Sequence, residues 1–156
     1  MIKSFAVVFA LFAAATPALA QTTPPPAQPV NITADQFTVD EATKQAVFTG
    51  SVVVVHPSVT VHANKVEALY GNGGATDIES FVATGAVTLD TPDQKATGDR
   101  AVFNPGDQLL RLTGNVKVTS ASGVVDSQEL VVNLATNVST FTSSGNGRVT
   151  GVFTSQ

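Results

Sequence analysis

The chain of 156 residues is 43% hydrophobic but only 13% charged, carries a net charge of −4 and contains no cysteine. Such a length suits one domain with a short leader and argues against a multidomain enzyme. No cluster of Lys or Arg supplies the footprint of a nucleic-acid binder, and the lack of cysteine removes disulfides, thiol nucleophiles, iron–sulfur clusters and cysteine-ligated zinc. Val, Thr and Ile together account for 47 residues, and β-branched side chains fit a pleated surface better than a helix. An all-β protein is expected.

Residues 1–20 read as a cleaved secretory signal peptide: Lys3 in the n-region, Phe5 to Ala15 as the apolar h-region, and Ala18-Leu19-Ala20 as the small-x-small cleavage site. The apolar run is too short for a spanning helix and ends at Pro17. Cleavage would leave 136 residues beginning at Gln21, with a charge of −5 after loss of Lys3. Residues 21–28, with Pro24-Pro25-Pro26, read as a Pro-rich flexible tether. The domain is expected over residues 29–156.

Within it the chain repeats a two-part theme. One part is a small or acidic step followed by apolar alternation, as in Ala34-Asp35-Gln36-Phe37-Thr38-Val39, Ala63-Asn64-Lys65-Val66-Glu67-Ala68 and Gly98-Asp99-Arg100-Ala101-Val102-Phe103, with a weaker copy from Val125 to Leu134. The other is a strand interrupted by glycine: Phe48 to Val54 around Gly50, Phe81 to Leu89 around Gly85, and Leu110 to Val118 around Gly114, with a degenerate copy from Phe141 to Val149. Leu110, Leu112, Gly114, Val116 and Val118 share one face of their strand; Arg111, Thr113, Asn115 and Lys117 share the other. Turn signals fall at Gly71 to Gly74, Pro105-Gly106-Asp107 and Ser120 to Gly123, and Pro57 and Pro92 end two strands. No segment sustains helical periodicity over eleven residues. The pattern predicts a rolled antiparallel sandwich of stacked two-strand repeats, one face dry and one wet, with no helix beyond a single turn.

Chemistry is hard to find. The only histidines are His56, beside Pro57 at a turn, and His62 on the polar phase, and no Cys or carboxylate pattern completes a tetrahedral metal set around them. No nucleophile elbow, phosphate loop or His-Glu-x-x-His helix is present. Asp35, Asn64 and Asp99 recur with the repeat, so they read as residues serving the fold rather than as a catalytic pair. No catalytic residue, metal or cofactor is assigned. The dry phase admits two readings, a filled β-sandwich core or a slot between two curved sheets, and phase alone does not separate them.

Pro29-Val30-Asn31-Ile32-Thr33-Ala34-Asp35-Gln36, Phe48-Thr49-Gly50-Ser51-Val52-Val53-Val54, Val61-His62-Ala63-Asn64-Lys65-Val66, Ala96 to Phe103 and Leu112-Thr113-Gly114-Asn115-Val116 resemble the OstA-like domain family, and within it the LptA-type proteins of lipopolysaccharide transport. The likeness runs from Pro29 to about Phe153. It implies an antiparallel β-jelly roll, V-shaped in section, located in the periplasm and binding lipopolysaccharide with the lipid A acyl chains sheltered inside. It also implies LptC-like and LptD-like jelly-roll partners joined by head-to-tail strand pairing, and a head-to-tail homo-oligomer.

Position by position, Val30 and Ile32 match the family's first groove-facing strand, and Phe48, Val52 and Val54 its next. Leu89 and Phe103 match inward apolar or aromatic positions, and Phe81, Leu112 and Val116 share their inward phase. These ten are the expected lipid-binding residues. Ser51 and Ala86 depart from the family pattern, which commonly places Asn after the glycine. A lipid-free module that docks jelly-roll partners, or an LptC-like anchored component, is the alternative role. Whether Val53 and Val55 are covered by a partner is left open by the sequence.

Overall fold

The computed structural model describes residues 29–143 and 145–154; the leader and tether expected over residues 1–28 lie outside them. The period-2 segments form ten strands: β1 (Asn31–Thr33), β2 (Gln36–Asp40), β3 (Gln45–His56), β4 (Val59–Tyr70), β5 (Ile78–Asp90), β6 (Gln94–Asn104), β7 (Leu109–Ser120), β8 (Gly123–Asn133), β9 (Val138–Thr142) and β10 (Thr150–Phe153). The turn signals separate them as expected, and one 3-10 turn, Gly74–Thr76, is the helical content of the described residues.

All pairings are antiparallel, in the order β1-β3-β4-β5-β6-β7-β8-β10, with β2 also on β3 and β9 also on β8. Thr33 pairs with Val53 and Gln36 with Thr49, so β1 and β2 are two halves of one strand interrupted at Ala34-Asp35. β9 and β10 are likewise two halves laid along β8, parted by residues 143–149. Eight strand positions thus form four two-strand repeats in a sheet that does not close.

The sheet is creased across its middle, and residue chemistry explains the crease. Along β4, Val61 and Ala63 turn inward, but so do Val66 and Ala68, so the alternation slips by one at Asn64. The same slip occurs at Asp99, between Ala96 and Ala101 on β6, and at Gln128, between buried Ser127 and Leu130 on β8. Between β1 and β2 it falls at Asp35. All four of these polar residues are exposed. The facing strands keep their alternation but insert a pair of residues with positive φ: Gly50-Ser51 (81° and 45°), Gly85-Ala86 (83° and 48°) and Gly114-Asn115 (81° and 49°). The ladder register shifts at each pair. These are β-bulges, which bend and twist a strand, and three in line fold the sheet into two wings.

Glycine is required at the first bulge position for a second reason. The polar residue at the slip of the preceding strand lies directly over it, so that a Cβ added to Gly114 would stand 2.9 Å from Asp99 Cβ, and one added to Gly85 2.9 Å from Asn64 Cβ. The Asp35 N–H also donates to the Gly50 carbonyl at 3.0 Å, and the Asn115 side-chain amide donates to Asp99 Oδ2 at 2.9 Å. The recurrent Asp/Asn positions therefore act structurally, along the ridge of the crease.

At the second bulge position the left-handed conformation suits Asn but strains Ala. Ala86→Asn is accordingly expected to stabilise the fold by about 0.5–1 kcal/mol, read as an increased midpoint in urea unfolding. A destabilised variant would show that the Ala86 backbone bears no strain.

The inward residues form continuous rows across the strands. One row runs Phe37, Phe48, Val66, Ala83, Ala101, Leu112, Leu130, Phe141 on the first wing; another runs Ile32, Val54, Val61, Leu89, Ala96, Val118, Val125 on the second. Their packing against each other makes the core, with Leu112, Val52, Val66, Val87, Val116 and Leu130 fully buried. Outward residues carry the charge. Lys117 pairs with Asp126 and Lys95 with Asp90, both at 3.4 Å and directly across neighbouring strands. Val53 is half-buried on this outer face and Val55 is 45% exposed.

Candidate functional site

The two wings do not pack evenly. Between them lies a cavity of about 50 Å³. The second wing contributes Val54 and His56 from the end of β3, Val59 and Val61 from the start of β4, and Val30 just before β1. The first contributes Val66, Phe81, Ala83, Ala101, Phe103, Leu110 and Leu134. Each strand supplies these side chains because its inward phase is apolar. The crease at Gly50, Gly85 and Gly114 turns the two halves of the sheet toward one another. Phe81 and Phe103, cross-strand partners on β5 and β6, stack with ring centroids 6.4 Å apart and form the floor on the first wing. The His56 ring meets Phe103 from the opposite wing, centroids 6.5 Å apart and tilted by 53°.

The cavity surface is wholly hydrocarbon, His56 included, which turns only ring carbon toward it. The two groups with perturbed protonation lie elsewhere, at the strand ends of the first wing. The Asp40 carboxyl is held below its ordinary range by the backbone N–H groups of Thr43 and then Ala42, which cap the β2–β3 turn. The Tyr70 hydroxyl is raised by burial first, then by the charge of Glu41. Among the described residues no group of three His, Asp or Glu is placed to hold a metal ion, and His56 and His62 face opposite sides of the sheet.

The ten residues expected at the lipid divide into three groups. Val30, Val54, Phe81 and Phe103 line the cavity. Ile32 and Phe48 are half-buried against the core, beside the open edge of the sheet. Val52, Leu89, Leu112 and Val116 are 3% exposed or less and belong to the packed interior between the wings. Sequence phase gives the direction of a side chain but not its depth, which is why these groups were merged. Val59, Val61, Val66, Ala83, Ala101, Leu110 and Leu134 were not singled out. The phase slip at Asn64 carries the signal that would have found Val61 and Val66 together, since both are inward although five residues apart.

Among the described residues both edges of the sheet are open, and both carry apolar side chains. Phe37 on β2 is 56% exposed and stacks on Phe48 at 4.5 Å. Phe153 on β10 is 68% exposed. The apolar rows therefore run out to unpaired backbone at each end of the molecule.

The family model described as "LptA/(LptD N-terminal domain) LPS transport protein" matches residues 31–138. The chain belongs to this family. Its OstA-like, LptA-like jelly roll also superimposes on a solved structure, LptH of Pseudomonas aeruginosa, described as the LptA homologous periplasmic component of a lipopolysaccharide transport device. The TM-score is 0.69 with 20% identity, covering 82% of this chain and 96% of that one. An uncharacterised protein of Rhizobium meliloti is 30% identical over 99 residues, 60% of this chain. The chain spans about half the length of that curated relative, 53%.

Proposed function

We propose that this member of the lipopolysaccharide-transport family is a periplasmic carrier that shelters the acyl chains of lipid A between its wings. It would pass the lipid along a bridge of jelly rolls joined end to end. The observation that carries this reading is the inter-wing cavity, apolar on both walls and lying on inward rows that continue to both open edges. Burying an acyl chain is worth about 0.8 kcal/mol per CH₂, so a chain of roughly a dozen carbons would lose on the order of 10 kcal/mol on entering water. A continuous apolar trough removes that barrier without bond chemistry, so the protein works as a carrier and not as an enzyme.

The open edges, with Phe37 and Val39 at one end and Val152 and Phe153 at the other, support strand addition by LptC-like and LptD-like partners or by a second copy of the chain. Added strands would satisfy the backbone and extend the apolar rows. The small leader motif at Ala18-Leu19-Ala20 supports export to the periplasm.

One observation favours a second reading. A volume of about 50 Å³ is far below the 300–1,000 Å³ of an ordinary ligand pocket, as a lipid-free module with a filled core would have. The carrier reading requires the wings to part about the crease.

Photo-crosslinking separates the two. A photoreactive residue at Phe48 or Phe103, on the inward phase, is expected to capture lipopolysaccharide in cells, whereas one at the outward neighbours Thr49 or Val102 is not. Folded variants that crosslink partner jelly rolls but never lipid would overturn the carrier in favour of the lipid-free module.

A further inference from the structure

The outer strand of the fourth unit leaves a gap at the crease. β9 pairs with Glu129–Asn133 and β10 with Gly123–Asp126, so Ser127 and Gln128 have no partner on that side among the described residues. A polar pocket of about 400 Å³ opens there on the outer face, lined by Asn115 and Lys117 of β7, Asp126 and Gln128 of β8, and Ser143 and Arg148 of the stretch between β9 and β10. Most of these groups are already engaged. Lys117 is matched by Asp126 at 3.4 Å, the Asn115 amide donates to Asp99 Oδ2, and the Ser143 hydroxyl donates to the Gly147 carbonyl at 2.6 Å. Arg148 is exposed at the free edge of the sheet, and its guanidinium has neither ion pair nor hydrogen bond among the described residues. The pocket therefore carries one uncompensated positive charge, in a fork geometry that suits a carboxylate.

The opposite edge offers a carboxylate at the same level of the fold. Asp35 is the exposed slip residue of the edge strand β1–β2, and its side chain has no ion pair or hydrogen bond among the described residues. Strand polarity brings the two edges into correspondence: β1–β2 runs from the second wing to the first, and β9–β10 from the first to the second. A second copy's β1–β2 laid along β9–β10 is therefore antiparallel, with like wing beside like wing, and its crease meets the split. Resting on the end-to-end reading above, we infer that Arg148 of one copy pairs with Asp35 of the next and so fixes the register of the junction. Backbone pairing alone does not fix it. A slip of two residues keeps every side chain on its own face, and β2 is exposed along its whole length, so burial does not hold that edge in place. One register aligns the rows, since the inward row that starts at Phe37 ends at Phe141 and the outward row that starts at Thr38 ends at Thr140. In that register Asp35 arrives beside the pocket, and a two-residue slip carries it about 7 Å away. Among strands able to pair, the pocket thus selects one with a carboxylate at its crease.

Self-association of the full exported chain, followed by sedimentation velocity, tests the pairing. Asp35→Lys and Arg148→Glu are each expected to raise the dissociation constant about tenfold, one exposed ion pair being replaced by a repulsion of similar size. An equimolar mixture of the two variants is expected to associate as tightly as the unaltered chain, because the introduced lysine meets the introduced glutamate at one junction and Asp35 meets Arg148 at the next. Arg148→Lys keeps the charge and should keep most of the affinity. The chain has no cysteine of its own, so register is read by oxidation: a mixture of Thr38→Cys and Thr140→Cys chains should form a disulfide-linked pair, and Asp40→Cys with Thr140→Cys should not. Single charge variants that associate like the unaltered chain would overturn the charge lock while leaving strand addition intact. Losses that mixing does not restore, or equal disulfide yields in the two registers, would overturn it as well. An unaltered chain that stays monomeric at millimolar concentration would remove end-to-end self-assembly and this inference together, and leave the lipid carrier to its own crosslinking test.

Discussion

Leu112→Ala is expected to lower the stability of the fold by about 3 kcal/mol, the middle of the range for a leucine removed from a rigid core. Leu112 is 0% exposed, lies between Ala101 and Leu130 in its row, and presses against the backbone of Gly98, where even an added Cβ would stand 2.7 Å from its Cδ1. Two of these neighbours are Ala and Gly, with no side chain able to swing into the space left behind. The loss should therefore include a cavity term as well as the transfer free energy. Against the 5–15 kcal/mol that holds a typical domain, that is a large fraction, and urea unfolding would read it directly. Val54→Ala, on the cavity wall and half-buried, is the control and should cost about 1 kcal/mol. Equal losses at the two positions would mean that the wings are not separately packed around Leu112.

Gly114→Val is expected to be as damaging, about 3 kcal/mol, for an unrelated reason. The position has φ of 81°, which a β-branched residue adopts only under strain, and Asp99 occupies the space its side chain needs. The two contributions separate in a double-mutant cycle. Asp99→Gly should restore about 1 kcal/mol to the Gly114→Val variant by clearing the steric conflict, while the dihedral strain remains. Strict additivity of the two substitutions would show that the ridge residue and the bulge glycine do not press on each other. The same cycle at Gly85 and Asn64 should give the same sign, because the geometry repeats there.

Much of this architecture was readable from the residues. The alternation from Leu110 to Val118 marks a strand with one dry face, and Pro57, Pro92 and Gly71 to Gly74 mark where strands stop, because they act locally through φ and through missing donors. The recurrence of a polar residue at Asp35, Asn64 and Asp99 pointed to a role in the fold, whereas Gln128, the fourth such residue, emerged only with the structure.

What stayed hidden was the phase slip those residues produce. A reader who continues the alternation of Val61 and Ala63 through Asn64 assigns Lys65 to the core and Val66 to solvent, the reverse of what the structure shows. At the site, Phe81 and Phe103 were readable as inward, but Leu112 and Val116 share their phase and differ only in depth. Depth depends on how far apart the wings stand, and no local pattern encodes that. His56 read as a turn residue because Pro57 follows it. Its inward direction follows from its being two residues beyond Val54 on a strand that keeps its alternation through Gly50.

The crease is built one repeat at a time, and this makes the protein extensible. Each two-strand unit contributes its own slip residue and its own bulge, and neighbouring strands are spaced about 4.8 Å apart. Splicing in one further unit of about thirty residues would therefore lengthen the trough by roughly 10 Å without altering its cross-section. Length and calibre are separate variables: the number of units sets the first, and side-chain volume along the inward rows sets the second. The fourth unit departs from this plan, since its outer strand is split into β9 and β10, but the split falls on the terminal strand and leaves the calibre of the three preceding units unchanged.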